Sequence, residues 1–232
     1  MAVISINAIS SARHHITDAG FIVRGTCAAA LALVAVSVVT PAQAAGSDQP
    51  ALNPAPSQGY EFTVTLAEAP GPFKVVTAGA QYDAENYARC GKLIRLAGTI
   101  SRVTSHQEIK LTKISDTTYR GIVYADQLID ESYYGRDVCH WKLTNVSASF
   151  KANADNVSTT HIMSLPAKLI AAEGTDTRYF WEGYYPRAKM ERFRDFGDDS
   201  LKEAVRREHG DEFFSITMSA KKISAQMPYE LD

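Results

Sequence analysis

From Tyr60 onward, large apolar side chains fall on every second residue. In YEFTVTLAE, Tyr60, Phe62, Val64 and Leu66 share one face, and Glu61, Thr63 and Thr65 take the other. A period of two with a polar opposite face demands a sheet buried on one side. Such a sheet needs a second layer to cover it.

The pattern recurs at short intervals along the chain. Residues 92–103 bring Ile94, Leu96 and Ile100 into phase and are read as a strand, with Gly98 as a bulge. Residues 109–114 form a shorter run that ends in the turn-forming SDTT. Residues 119–128 carry the β-favouring series Ile122, Val123 and Tyr124, and residues 141–150 repeat the signal. Residues 159–171 are extended but interrupted by Pro166, which suits an edge strand or a bend. Residues 213–223 close the series with Phe214, Ile216 and Met218 in phase.

One segment differs. Residues 198–210 start with acidic side chains, place Ser200 and Glu203 at capping-box spacing, and end in basic residues, His209 and Gly210. These are helix start and stop signals matched to the macrodipole. Residues 188–193 are read as a further helical turn. The expected fold is mainly β: an antiparallel β-sandwich, or a partly open barrel, with a short helical insertion before the last strand.

The N-terminus reads as an export leader. After Arg24, GTCAAALALVAVSVVTPAQA supplies a short apolar run, Pro41 and the small-residue triplet Ala42-Gln43-Ala44. The run is too short to serve as a permanent bilayer anchor, which takes about 20 residues. Residues 1–44 are therefore expected to be a signal peptide, residues 45–59 a flexible linker rich in proline and small polar residues, and residues 60–232 a single β-rich domain. The expected location is periplasmic or secreted. Cleavage after Ala44 removes Cys27 and leaves Cys90 and Cys139. In an oxidising compartment this even pair is read as a disulfide. A bridge closing a loop of that length contributes about 4 kcal/mol in the chain-entropy model.

Charge excludes some partners. The chain has 24 Lys and Arg against 26 Asp and Glu, a formal charge of −2, with no polybasic run. Neither nucleic acid nor an anionic membrane surface is expected as a partner.

The segment YYGRDVCHW, residues 133–141, sets Cys139 beside His140 in sequence. In strand geometry they point to opposite faces, with Cys139, Trp141 and Leu143 together as a core wall. That favours a structural cysteine over a thiol enzyme. His106, His161 and His209 lie far apart, and no HExxH spacing or nucleophile elbow is present. No metal, no cofactor and no catalytic residue is expected. Asp126 and Asp130 are the carboxylates that a hydrolase reading would use.

RYFWEGYYPR, residues 178–187, packs five aromatic side chains between two arginines. Tyr, Trp and Arg are the residue types that dominate binding hot spots. Arg178, Trp181, Tyr184, Tyr185 and Arg187, with Tyr133 and Tyr134, are the candidate partner contacts, the rest of the aromatic stretch being core.

The run GIVYADQLIDESYYGRDVCHWKLTNVSASF, residues 121–150, resembles small exported β-rich proteins of proteobacteria, in its Tyr-Tyr-Gly followed by Cys-x-Trp. The FFxI-type final strand at Phe213 adds to the likeness, which covers about the central third of the mature chain. Some proteins of this general kind are immunity partners of antibacterial effectors, and the resemblance implies no functional residues. The functional expectation is an exported, non-catalytic protein-binding domain of the immunity or inhibitor type that blocks a secreted effector sterically. The alternatives are an envelope-polymer hydrolase and a carbohydrate-binding module.

Overall fold

A computed structural model describes residues 49–210 and 212–223. The export leader read over residues 1–44 lies outside the described residues. All of the described residues belong to one compact unit, Ala44–Asp232.

The first strands are β1 (Gly59–Ala67), β2 (Val75–Ala84), β3 (Leu93–Ile94), β4 (Thr99–Ile100), β5 (Thr104–Ile109) and β6 (Thr112–Lys113). They are followed by β7 (Thr118–Tyr124), β8 (Trp141–Lys151), β9 (Thr160–Pro166), β10 (Thr175–Trp181), β11 (Arg194–Asp195) and β12 (Phe213–Lys222). Among the described residues three short helices punctuate them: α1 (Tyr87–Cys90), α2 (Ala167–Ala171) and α3 (Glu203–His209).

The strands form two five-stranded sheets, ordered β10-β12-β1-β7-β6 and β11-β9-β8-β2-β5, with β3 and β4 as a separate hairpin. Neither five-stranded sheet closes into a barrel, so the fold is an antiparallel β-sandwich; only β11 pairs in parallel, with β9. The two inner faces meet in one core. Phe62, Val64, Phe180, Phe214, Ile216 and Met218 from the first sheet pack against Tyr82, Val146, Phe150, Met163 and Leu165 from the second. Each large side chain so buried contributes on the order of 1.5–3 kcal/mol relative to exposure.

The period-two reading of β1 holds residue by residue: Phe62, Val64 and Leu66 are buried and Tyr60 packs at the core margin. In β8 the buried phase changes partway, from Leu143 to Val146, Ala148 and Phe150. The cause is a bulge. The register against β2 slips between Gln81 and Tyr82, and the Thr144 hydroxyl donates to the Gln81 carbonyl at 3.0 Å.

Several expectations are corrected. β2 is absent from those expectations, yet it is an interior strand, between β8 and β5. Three of its four buried residues, Ala78, Ala80 and Ala84, are small, and only Tyr82 is large, so the alternation carries little hydrophobic signal. Residues 92–103 are not a sheet strand but the β3–β4 hairpin, turning at Gly98 with φ +63°. Pro166 ends β9 and directly precedes α2, so the bend lies at a strand end. The helix of residues 198–210 begins only at Glu203, with Lys202 at its N-cap and no side-chain cap bond, so the capping box does not form. The helical turn expected at 188–193 is a loop; a single 3₁₀ turn lies earlier, at Glu182–Tyr184.

The expected spacer also differs. Leu52 bridges Leu128, the Asn53 amide donates to the Gln127 carbonyl at 2.8 Å, and the Ile129 amide donates to the Ala51 carbonyl at 2.9 Å. Residues 51–58 are thus a strap laid along the loop after β7. Its prolines keep it out of a sheet, but the amides of Ala51, Asn53, Ala55, Ser57 and Gln58 still find acceptors.

Candidate interaction site

Beyond the end of β2 and the start of β8, a second, smaller core forms around the disulfide. Cys90 and Cys139 are bonded, with Cα atoms 5.1 Å apart and both residues fully buried. Ala84, Val103 and Tyr133 complete the cluster, and Tyr87, Tyr134 and Trp141 pack on it. His140 is exposed while Cys139 is buried, as the expected alternation has it, although both precede β8, which begins at Trp141.

Polar contacts tie the two cysteine-bearing segments together. The Asn86 side chain donates to the Val138 carbonyl at 2.7 Å and accepts from the His140 amide at 2.9 Å. Arg136 Nε donates to the Arg89 carbonyl at 2.8 Å. The Tyr133 hydroxyl donates to the Ile129 carbonyl and accepts from the Ala51 amide at 3.2 Å. Burial dominates the environment of that hydroxyl and holds its pKa above the ordinary tyrosine value.

The β3–β4 hairpin grows out of this braced base. At its root, a Cβ on Gly91 would sit 2.5 Å from the Ser101 carbonyl oxygen and 2.6 Å from that of Tyr87, so the two arms meet only because residue 91 is glycine. The arms are short, and every residue from Lys92 to Thr99 is exposed. Leu93 and Ile94 are each 46% exposed, and Leu96, at the turn, is fully exposed at 102%. Ordinary monomer surfaces carry isolated apolar side chains, not three within four residues on a projecting turn. The segment 91–102 also contains Lys92, Arg95 and Arg102 and no acidic residue. The site therefore offers an apolar tip with a basic flank, held by a covalent link at its base.

Sequence reasoning missed these residues because Ile94, Leu96 and Ile100 mimic a buried strand. The available signal was Ala97-Gly98, which fits a tight turn between two very short arms.

The candidate contacts chosen from sequence fall at the two ends of the sandwich. Tyr133 and Tyr134 lie by the disulfide, Tyr133 buried and Tyr134 half-buried. Tyr185 lies at the other end, against Phe73 at 5.4 Å between ring centroids, and Phe73 in turn meets Phe150. Trp141 and Phe150 are nine residues apart on β8, roughly 30 Å, so the two groups do not form one surface. The Tyr185 hydroxyl donates to the Pro72 carbonyl at 2.8 Å. Trp181 stacks on His209 at 4.5 Å and meets Tyr184 edge-on at 5.0 Å, so it joins α3 to the sheet edge and its stacked face is covered. Arg178 is paired with Asp176 at 3.4 Å, and Arg187 is exposed.

The carboxylates Asp126 and Asp130 both line an open groove of about 800 Å³ at the disulfide end of the sandwich. Each is already engaged. Asp126 accepts from the Ser57 amide and hydroxyl and the Gln58 amide at 2.8–2.9 Å. Burial raises its pKa, but these donors outweigh burial and leave it below the ordinary carboxylate value. Asp130 meets His140 Nδ1 at 2.8 Å and accepts from the Trp141 amide at 2.9 Å. The first fastens the N-terminal strap and the second fixes the start of β8.

His161, a lone histidine in the sequence, is 1% exposed among Phe73, Phe180 and Phe214, with Nδ1 3.3 Å from an oxygen of Asp195. Its partner comes from β11, which pairs with β9 through residues 194–195.

Among the described residues, no group of three or more His, Cys, Asp or Glu side chains is arranged to hold a metal ion, and no helix is long and apolar enough to cross a membrane. No family model, curated protein or solved structure matches the chain.

Proposed function

We propose that the protein is exported and acts without catalysis, by inserting the β3–β4 hairpin into a cleft of another protein, in the manner of an immunity or inhibitor protein that neutralises a secreted effector. The exposed Leu93-Ile94-Arg95-Leu96 tip on a disulfide-braced base is the observation that carries this reading. A rigid base lowers the ordering cost of binding, and branched aliphatic side chains supply the desolvation energy. The matching partner surface is an apolar cleft rimmed by acidic groups, facing Lys92 and Arg95. Export is supported by the leader-like N-terminus and by the disulfide, which suits an oxidising compartment.

The test uses mature protein, wild type and Leu96→Asp, as paired baits against periplasmic and co-secreted fractions. A protein retained by wild type is then expressed and titrated against both. A single well-placed contact of this type is worth about 2 kcal/mol, or about 30-fold in Kd. Equal affinity for both baits, or no protein retained by wild type, would count against the hairpin.

A further inference from the structure

The two five-stranded sheets end in β10, β6, β11 and β5. Edge strands present unpaired backbone groups, and native proteins usually blunt them. Along β10 the outward amides are taken: Thr177 donates to the Asp176 carboxylate at 3.0 Å, and Tyr179 exchanges amide–carbonyl bonds with Asp198 at 2.9 and 2.8 Å. β6 and β11 are two residues each, too short to template a partner.

β5 differs. It runs for six residues without a proline and pairs only with β2. The Ala84 amide donates to the Val103 carbonyl at 3.0 Å, which sets the phase of the ladder. Val103, Ser105, Gln107 and Ile109 therefore turn their backbone groups to β2, and Thr104, His106 and Glu108 turn theirs outward. Those outward groups meet no backbone partner among the described residues. The side chains of Thr104, His106, Glu108 and Lys110 are all exposed. Glu108 lies opposite Gly79 on β2, so no side chain covers it there, and neither Glu108 nor Lys110 has an ion pair among the described residues.

We infer that β5 pairs antiparallel with β5 of a second copy of this chain, about a two-fold axis at Gln107. This register matches outward-facing residues with one another. His106 and Glu108 of the second copy exchange amide–carbonyl bonds, and Thr104 faces Lys110, each pair occurring twice. The imidazole thus meets a carboxylate across the axis. Moving the axis to His106 would instead set Arg102 opposite Lys110, two cations. A strand pair alone buries less than a standard interface, so the dimer is weak, in the micromolar range. The inference does not rest on the partner proposed for the hairpin.

The experiment is sedimentation equilibrium of the purified mature protein, over a concentration series reaching the high micromolar range, with thermal transitions recorded alongside. Wild type is expected to form a reversible dimer. His106→Glu sets like charges opposite each other at two symmetric places and is expected to weaken the dimer about tenfold. The double variant His106→Glu/Glu108→Lys is expected to restore it, because the exchanged charges still face each other. His106→Pro removes an N–H that points away from β2, so a folded monomer is expected. A wild type that stays monomeric at every concentration overturns the inference and makes an extended segment of a different protein the occupant to test. A dimer indifferent to His106→Glu, or one that the double variant fails to restore, also overturns it. Assemblies larger than two do the same, since pairing at β5 uses up that edge.

Discussion

Removing the disulfide tests how far the second core supports the whole sandwich. Cys90 and Cys139 are 49 residues apart, and for a loop of that length the chain-entropy model gives about 4 kcal/mol at 25 °C. The loop contains β5 from one sheet and β7 from the other, so the link restrains strands of both layers. A domain of this size loses about 2–4 °C in Tm per kcal/mol, so the Cys90→Ala/Cys139→Ala variant should melt about 8–16 °C lower. Loss of two buried sulfur atoms adds a small cavity cost, which reduced and alkylation-free wild type separates from the cross-link effect. Far-UV circular dichroism during thermal and urea unfolding is the assay. A shift under about 2 °C in both proteins, with limited proteolysis confined to residues 85–103, would refute the reasoning. It would show that the link braces the hairpin alone.

Two further substitutions probe the packing and the strap. A Cβ on Gly121 would lie 2.5 Å from Phe62 Cζ, with Phe62 fully buried, so Gly121→Ala should overpack the core and cost about 1–3 kcal/mol, read from the urea midpoint. Asp126→Asn should lower stability near neutral pH by about 1 kcal/mol, after discounting its charged hydrogen bonds for solvent screening. The folded Asp126 pKa is below its ordinary value of 3.8. Its contribution is therefore present above that value and is lost as pH falls through the lower, folded one. The stability gap between wild type and variant should close on acidification; a gap that is constant between pH 7 and pH 2 contradicts the assigned hydrogen bonds.

Much of the sandwich was legible because its strands carry large side chains in strict alternation, as β1 and β12 do. Where the inward residues are mostly alanines, as in β2 apart from Tyr82, period-two spacing persists but hydrophobicity hardly announces it. The β8 bulge changes phase through one pairing slip, a tertiary event with no local signature at Thr144. The disulfide followed from the cysteine count and the expected oxidising compartment. The proposed interaction site was obscured for a different reason. Ile94, Leu96 and Ile100 have the composition of a core strand, yet Ile94 and Leu96 are exposed because no layer of the described residues covers them. In the aromatic stretch 178–187, Phe180 is core as expected, but two of the candidate contacts are engaged: Tyr185 is tied to Pro72, and Trp181 is stacked beneath α3. Composition identified side chains able to bind; packing decided which were already occupied.

The most direct measurement is the affinity of the captured partner for wild type, Leu96→Asp and Trp181→Ala, compared side by side with their thermal transitions. The account predicts that Leu96→Asp weakens binding about 30-fold with an unchanged Tm, while Trp181→Ala lowers Tm and leaves the affinity of the folded protein intact. Loss of affinity at Trp181 with none at Leu96 would contradict it and move the interaction surface to the opposite end of the sandwich.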